Sequence, residues 1–176
     1  MSYLKKPDYV QTISKTYPDL DILCSDNPYE YDSLDWDGEV AILQSVLDID
    51  QFNLYKLEIS EKIRSDATVE RFKRMKAILG TDDPEQILTY EEKFSEAVAF
   101  MDNPLSPTPI MDAEVFFTGE TVADLAPVVV SQYTFAKSTL RGMFGSIEGK
   151  RRAELYLVST MVITSQLENY TGPVWS

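Results

Sequence analysis

Hydrophobic side chains recur with helical spacing through the second half of this chain. In the segment 84–102 they fall three to four residues apart and form a first stripe: Ile87, Tyr90, Phe94, Val98 and Met101. A second stripe keeps this spacing over roughly seven helical turns and consists of Val122, Leu125, Val129, Tyr133, Ala136, Leu140, Met143 and Ile147. Because an amphipathic helix buries its apolar stripe, the two stripes predict an antiparallel helical hairpin between Pro84 and about Tyr170.

The hairpin needs a turn, and prolines mark its place. The segment 102–120 contains Pro104, Pro107 and Pro109. Proline cannot continue a helix, and it pushes the residue before it toward extended geometry. We therefore predict that the chain turns over 102–120.

A further proline affects the start of the second arm. The pattern Thr121-x-x-Asp124 resembles a capping box, with Asp in the position of the usual Glu or Gln. Pro127 follows within two turns and removes a backbone hydrogen bond. The helix therefore either begins near Ala126 or begins at the capping box and bends at Pro127.

Upstream of the hairpin, the pattern predicts a helix from about Asp50 to Leu79, with Gly80 as its C-terminal cap. Its apolar residues form two runs, Phe52, Tyr55, Ile59, Ile63 and then Val69, Phe72, Met75, Leu79. The register slips between them at Ser65–Thr68, which predicts a kink or two consecutive helices. The candidates to cap the start of this helix are Ser45, Asp48 and Asp50.

The remaining segments are shorter. Residues 8–17 predict a helix that ends before Pro18, and 150–168 predict a last helix. Alternation of apolar and polar residues favours two short strands, one through Leu20, Ile22 and Cys24 and one through Val40, Ile42 and Gln44. Three glycines share one helix face, Gly142, Gly145 and Gly149, and their cost of roughly 1 kcal/mol each relative to alanine predicts the close approach of another helix.

Together these elements predict a mainly α protein, an antiparallel helical hairpin or bundle with a small N-terminal α+β segment. We expect that segment to span 1–48, the bundle 49–170 and a C-terminal tail 171–176. A chain of 176 residues is long enough to bury most of the surface that it exposes when unfolded.

Charge narrows the classes of partner. The formal net charge is -13, which repels both phosphate backbones and anionic lipid surfaces, so we expect no direct nucleic-acid partner and no membrane partner. Two basic clusters, in 71–76 and 150–152, are interpreted as solvated faces that pair with acidic neighbours. A single cysteine, Cys24, cannot form an internal disulfide, and neither a signal peptide nor a membrane span is evident, so we expect synthesis in a cytoplasm.

Candidate chemistry is sparse. The chain contains no histidine, which excludes Ser-His and Cys-His arrangements and the usual zinc ligand. Carboxylate pairs such as Asp48/Asp50 and Asp82/Asp83 occur in polar, cap-like contexts and are interpreted as capping residues. We expect no catalytic residues, no cofactor and no metal site, and hence no enzyme; a carboxylate-based hydrolase is the less favoured alternative.

Aromatic residues near both ends are the candidate interface residues. They are Tyr29, Tyr31, Trp36, Tyr170 and Trp175. Tyrosine and tryptophan are enriched at interface hot spots, so these side chains either form a docking surface or cover the hydrophobic end of the helices. The same choice holds for the C-terminal tip with Val174.

The hairpin region carries a family resemblance. Its motifs, in order, are Thr89-Tyr90 opening a Glu/Ala-rich helix, the turn Pro107-Thr108-Pro109, the helix start Leu125-Ala126 and a Gly-rich close from Gly145 to Arg151. In this order they resemble the helical-hairpin segment of phage tail-associated and tail-fibre-assembly-type proteins, over about residues 85–155. Pro127 departs from that pattern.

The resemblance implies a non-enzymatic structural or assembly protein of a bacteriophage, associated with the tail or tail fibre. Its partners would be other virion proteins, in several copies within a symmetric assembly, and its location would be the virion after assembly in the host cytoplasm. Three alternatives stay open: an assembly chaperone that is absent from the mature particle, a neck or connector component, and a cytoplasmic adaptor without any phage connection.

Overall fold

The structure is a computed structural model, and it describes residues 3–20, 22–24, 27–36, 42–81 and 83–175. Six α-helices dominate it: α1 (Tyr9–Thr16), α2 (Gln44–Leu79), α3 (Pro84–Asp102), α4 (Pro109–Thr118), α5 (Val122–Thr160) and α6 (Thr164–Glu168). Two strands, β1 (Leu23–Cys24) and β2 (Leu34–Asp35), pair antiparallel, and a 3-10 turn (Tyr31–Ser33) precedes β2. The mainly α prediction is confirmed.

The contacts divide the chain into two compact units. Unit 1 comprises 1–66 with 150–176, and unit 2 comprises 67–149. This division differs from the one expected from the sequence, because α2 and α5 each contribute to both units. The boundary in α2 follows Asp66, within the segment where the hydrophobic register slips.

The start of α2 was predicted too late. The helix begins at Gln44, so Ser45, Asp48 and Asp50 lie inside it and do not cap it. Gln44 therefore belongs to no strand, and Val40 lies outside the described residues. The helix is also continuous through 65–68, where the sequence contains neither glycine nor proline to break it.

Two hydrophobic clusters form the core of unit 1. The first consists of Tyr55, Ile59, Ile63, Val158, Leu167 and Tyr170. The second consists of Tyr9, Ile13, Leu34 and Leu47, and it brings α1 and β2 onto the start of α2. Helix α1 begins with a capping box, in which Asp8 accepts a hydrogen bond from the backbone of Gln11 at 2.7 Å.

The predicted last helix is interrupted. Helix α5 ends at Thr160, and α6 begins at Thr164. Side-chain hydroxyls of Ser159 and Thr160 donate to carbonyls of the preceding turn, at 2.7 and 2.8 Å. Such side-chain bonds compete with the hydrogen bonds of the helix. In addition, the Nζ of Lys56 donates to the carbonyls of Ser159 and Met161 at 2.6 and 3.0 Å. The helix can therefore stop here without leaving these two carbonyls unpaired.

Unit 2 contains the predicted hairpin. Its core consists of Ala97, Met111, Leu125, Ala126 and Val129, from α3, α4 and α5. In this hairpin Phe94 of α3 stacks on Tyr133 of α5 with ring centroids 4.4 Å apart. Phe100 of α3 and Val122 of α5 both pack against the core cluster.

The predicted burial is confirmed for the α5 stripe but only in part for the α3 stripe. All eight residues of the α5 stripe are buried or half-buried, as expected. On α3, however, Tyr90, Val98 and Met101 are exposed by 41%, 44% and 55%. The α3 residues that pack in the core of unit 2 are instead Phe94, Ala97 and Phe100. The face of α3 that meets α4 and α5 is therefore the one with these small and aromatic side chains. In α2, the predicted burial of the second apolar run is likewise wrong at Val69 and Phe72, which are exposed.

The segment 102–120 is more ordered than a turn. It contains the ten-residue helix α4, which Pro109 opens at its first turn, where a missing N–H costs nothing. The chain turns twice, once before α4 and once after it at Gly119, whose φ of 75° favours glycine. In this segment Pro109 begins a helix, whereas Pro104 follows the end of one.

The first turn of α5 shows which of the two predicted helix starts, Ala126 or the capping box, is correct. The helix begins at Val122 and includes Pro127. Thr121 caps it: its hydroxyl donates to Asp124 at 2.6 Å, and the backbone N–H of Asp124 donates back to that hydroxyl oxygen at 3.2 Å. The capping-box start is therefore the correct one.

The glycine face of α5 is open. A Cβ atom added at Gly142, Gly145 or Gly149 would meet no described atom within 4 Å. The close helix approach that was predicted there is therefore wrong within the part of the chain that the structure describes.

Candidate functional site

Three of the predicted interface residues lie near the second core cluster of unit 1. Tyr31 and Trp36 pack together, with centroids 6.0 Å apart, and both border the cluster. The hydroxyl of Tyr31 donates to the carbonyl of Ile42 at 2.7 Å. Tyr29 is half-buried, with the Nζ of Lys5 at 5.1 Å from its ring centroid. Tyr31 and Trp36 thus pack against a core cluster of unit 1.

The two C-terminal candidate interface residues, Tyr170 and Trp175, differ in burial. Tyr170 is only 7% exposed, and its ring meets that of Tyr3 edge-to-face at 5.4 Å. Its carbonyl also accepts a hydrogen bond from the backbone of Tyr3 at 2.9 Å. Trp175 is half-buried, whereas Val174 is 76% exposed. Tyr170 therefore ties the two ends of the chain together within unit 1.

Tyrosine hydroxyls in unit 1 repeatedly meet carboxylates. Tyr9 donates to Asp48, Tyr17 to Asp50 at 2.8 Å, and Tyr170 to Glu154 at 2.8 Å. Burial, followed by the hydrogen bond to the carboxylate, raises the pKa of Tyr9 and of Tyr170. Asp48 and Asp50, interpreted from the sequence as caps, instead anchor α1 on α2.

A groove in unit 2 is lined mainly by apolar side chains. We call it the α5 groove. It has a volume of about 520 Å³ and lies between α2, α3 and α5. Its lining consists of Ile78, Leu79, Tyr90, Lys93, Val129, Gln132, Tyr133, Phe135, Ala136 and Thr139. A concavity of this size and composition accepts apolar side chains.

Cations border the α5 groove. The Nζ of Lys137 lies 5.3 Å from the ring centroid of Tyr133, and Arg141 acts electrostatically on the same residue. The hydroxyl of Tyr133 donates to Glu91 at 3.2 Å. Burial, and then this hydrogen bond, raises the pKa of Tyr133. Lys93, which lines the groove, pairs with Glu114.

The C-terminal end of α4 presents two aromatic rings to solvent. Phe116 and Phe117 are 81% and 85% exposed, and their rings meet edge-to-face at 5.1 Å. We call this pair the α4 tip. Large aromatic side chains at this exposure are unusual on a surface that has no partner.

Exposed apolar side chains are common elsewhere in the described part of the chain. Twenty large hydrophobic residues are exposed there, against seventeen hydrophobic residues that are buried. Most lie on α2, α3, α4 and α5, and the others lie in connecting segments and at the C-terminal tip. The basic clusters, in contrast, are paired as expected: Arg71 with Glu148 at 3.0 Å, and Lys150 with Glu154 at 3.3 Å.

Two other features are absent from the described residues. Among them, no three His, Cys, Asp or Glu side chains are grouped to hold a metal ion. None of the described helices combines the length and the hydrophobicity needed to cross a membrane.

Sequence reasoning missed both the α5 groove and the α4 tip. The tip had a visible signal, an unbroken Phe116-Phe117 pair within the predicted turn 102–120. The groove had none, because its lining comes from three helices that lie apart in the sequence. No family model matches the chain, and neither a curated protein nor a solved structure shows significant similarity to it.

Proposed function

We propose that this chain is a non-enzymatic structural or assembly protein of a bacteriophage, associated with the tail or tail fibre, that works through protein–protein contacts. The observation that carries the contact role is the excess of exposed apolar side chains, twenty among the described residues. Water penalises such surface, and a protein that is built into an assembly covers it. The motifs of the hairpin support the phage setting.

The surfaces offered for contact lie on helices. In unit 2 they include the α4 tip and the α5 groove, which together provide a protruding and a concave apolar feature. Interfaces are organised around such buried aromatic anchors with a polar rim. Copies of the chain would use these features against other virion proteins in a symmetric particle.

Mass spectrometry of purified phage particles tests this role. Particles are purified from a lysate in which the gene is expressed in its native context, and the chain is quantified against the major capsid and tail proteins. We expect peptides of this chain in a fixed ratio to the tail proteins. Abundant host proteins in the same preparation serve as the contamination reference.

Four outcomes have distinct meanings. A fixed ratio that survives further purification supports a tail or tail-fibre component, and tail-less mutant particles that retain the chain would place it at the neck or connector instead. Presence in assembly intermediates with absence from mature particles would support the assembly chaperone. Absence from both would contradict the proposal.

A further inference from the structure

Charges are unevenly distributed along unit 2. The segment 94–136 contains no Lys or Arg, and its six carboxylates belong to Glu96, Asp102, Asp112, Glu114, Glu120 and Asp124. The cations of the unit lie on either side of that segment: Arg71, Lys73, Arg74, Lys76, Lys93, Lys137 and Arg141. Helix α4 and the connections beside it are therefore acidic.

The acidic segment carries the α4 tip. Glu120 follows the two phenylalanines closely and is exposed, and Asp112 lies one helical turn before them. Glu96 and Glu114 are engaged within the unit, by the α4 backbone and by Lys93 respectively. The tip is thus a protruding aromatic pair with negative charge nearby in the chain.

The α5 groove has the opposite character. Lys137 and Arg141 are both exposed and both interact with Tyr133, whose hydroxyl donates to Glu91. The groove volume of about 520 Å³ lies within the range of roughly 300–1,000 Å³ that holds compact apolar groups. Phe135, an exposed lining residue, can stack against an incoming aromatic ring.

We propose that the α4 tip of one copy of this chain docks into the α5 groove of a second copy. Phe116 and Phe117 provide the anchor, and Glu120 faces the cations Lys137 and Arg141. The inference rests on the contact role proposed above and names its first partner, which is the chain itself.

A second copy is favoured as the occupant because unit 2 contains both halves of the contact. A two-fold symmetric contact through the tip would bring acidic segment against acidic segment, which costs free energy. A tip-to-groove contact brings opposite charges together. Such a head-to-tail contact leaves one free tip and one free groove at its ends, so it closes into a ring or continues as a filament.

Sedimentation velocity with complementary variants tests the docking. The tip variant is F116S/F117S, the groove variant is F135E, and the matched control is Y156S, which alters an exposed aromatic residue of unit 1. All four positions are at least 72% exposed, so circular dichroism should show four folded proteins. We expect the wild type and the control to associate with rising concentration, and each docking variant to lose association at least tenfold.

Mixing the two docking variants gives the sharper readout. The groove variant keeps a functional tip and the tip variant keeps a functional groove, so the mixture should form a heterodimer and nothing larger. In addition, E120K and K137E should each weaken association, and a chain with both changes should recover it. Higher salt should weaken the wild-type contact, because salt screens exposed charges beyond about 10 Å at 0.1 M.

Several results would overturn the docking. They are a wild type that stays monomeric throughout the micromolar range, a tip variant that still associates with itself, and a variant mixture that stays monomeric. If the chain is nevertheless found in purified particles, its contact role stands and the groove is occupied by another virion protein. If the wild type associates as expected but is absent from particles and intermediates, the docking stands and the phage role fails.

Discussion

The carboxylate of Glu96 in α3 caps the N-terminus of α4, accepting a hydrogen bond from the backbone N–H of Met111 at 3.1 Å. The N–H of Ile110 donates to the same carboxylate, at 3.0 Å to one oxygen and 3.2 Å to the other. The first N–H groups of a helix have no partner within it, and Thr108, at the cap position, makes no capping bond with its own side chain. A residue of another helix therefore supplies the cap.

Replacing Glu96 should destabilise the hairpin. We expect Glu96→Ala to lower the free energy of unfolding by about 1–2 kcal/mol, because two backbone donors lose a charged partner. Glu96→Gln should cost less, since an amide oxygen can still accept one bond. Urea denaturation measures both, with the exposed neighbour Glu92→Ala as the control. Equal stabilities for Glu96→Ala and the control would contradict this role.

Gly172 should tolerate no side chain. Its φ is 83°, and an added Cβ would lie 2.2 Å from Cδ2 of Tyr3. We expect Gly172→Ala to lower the free energy of unfolding by roughly 1–3 kcal/mol, because the tail must move away from Tyr3 and its backbone conformation becomes strained. Thermal unfolding, followed by circular dichroism, measures the change.

Gly142→Ala is the matched control for that substitution. Gly142 lies inside α5, and a Cβ there meets nothing within 4 Å. Alanine should stabilise the helix by up to about 1 kcal/mol, so the two glycine substitutions should shift the melting temperature in opposite directions. A shift in the same direction for both would contradict the packing of Tyr3 on the tail.

These two glycines also show what the sequence could and could not predict. Helical periodicity identified the α5 stripe correctly, because its residues from Val122 to Ile147 are all buried or half-buried. The glycine face of the same helix was misassigned, since spacing alone places residues on a face but does not say whether a neighbour lies there. The contact between Tyr3 and Gly172 joins the two ends of the chain, and no local pattern encodes it.

The errors at helix boundaries have a similar cause. Gln44 was assigned to a strand and Pro109 to a turn, although both open helices. The start of α4 depends on Glu96, which lies thirteen residues before Pro109 in the chain. Among the candidate interface residues, the sequence identified Tyr31 and Trp36 as a group, and the structure brings them together. Whether either contacts a partner stays a prediction.

The tyrosine–carboxylate contacts predict a loss of stability in alkali. The pKa values of Tyr3, Tyr9 and Tyr170 are raised, first by burial and then by hydrogen bonds to Asp66, Asp48 and Glu154. In the unfolded chain a tyrosine loses its proton near pH 10, whereas the folded protein keeps these protons. The stabilisation is therefore complete below about pH 10 and is lost as the pH rises above it.

Phenolate absorbance and urea denaturation along a pH series measure this effect. The titration of the native protein should lag behind that of the protein in urea. Tyr170→Phe keeps the ring contact with Tyr3 and removes the hydroxyl, so it should reduce the slope of stability against pH above about pH 10. An unchanged slope in this variant, with native and unfolded titrations that coincide, would contradict the coupling.

Lys56 should hold the C-terminal segment in place. Its Nζ donates to the carbonyls of Ser159 and Met161 at 2.6 and 3.0 Å, which is where α5 stops. A cation at a helix C-terminus also interacts favourably with the helix dipole. We expect Lys56→Met, which keeps the aliphatic stem, to lower the free energy of unfolding by about 1–2 kcal/mol. It should also speed amide exchange in 161–170 more than in α1.

Lys73→Met is the control, because the Lys73 side chain is 75% exposed and lies 3.7 Å from Glu70. Uniform acceleration of exchange across unit 1 would mean that Lys56 stabilises the whole unit and not this segment.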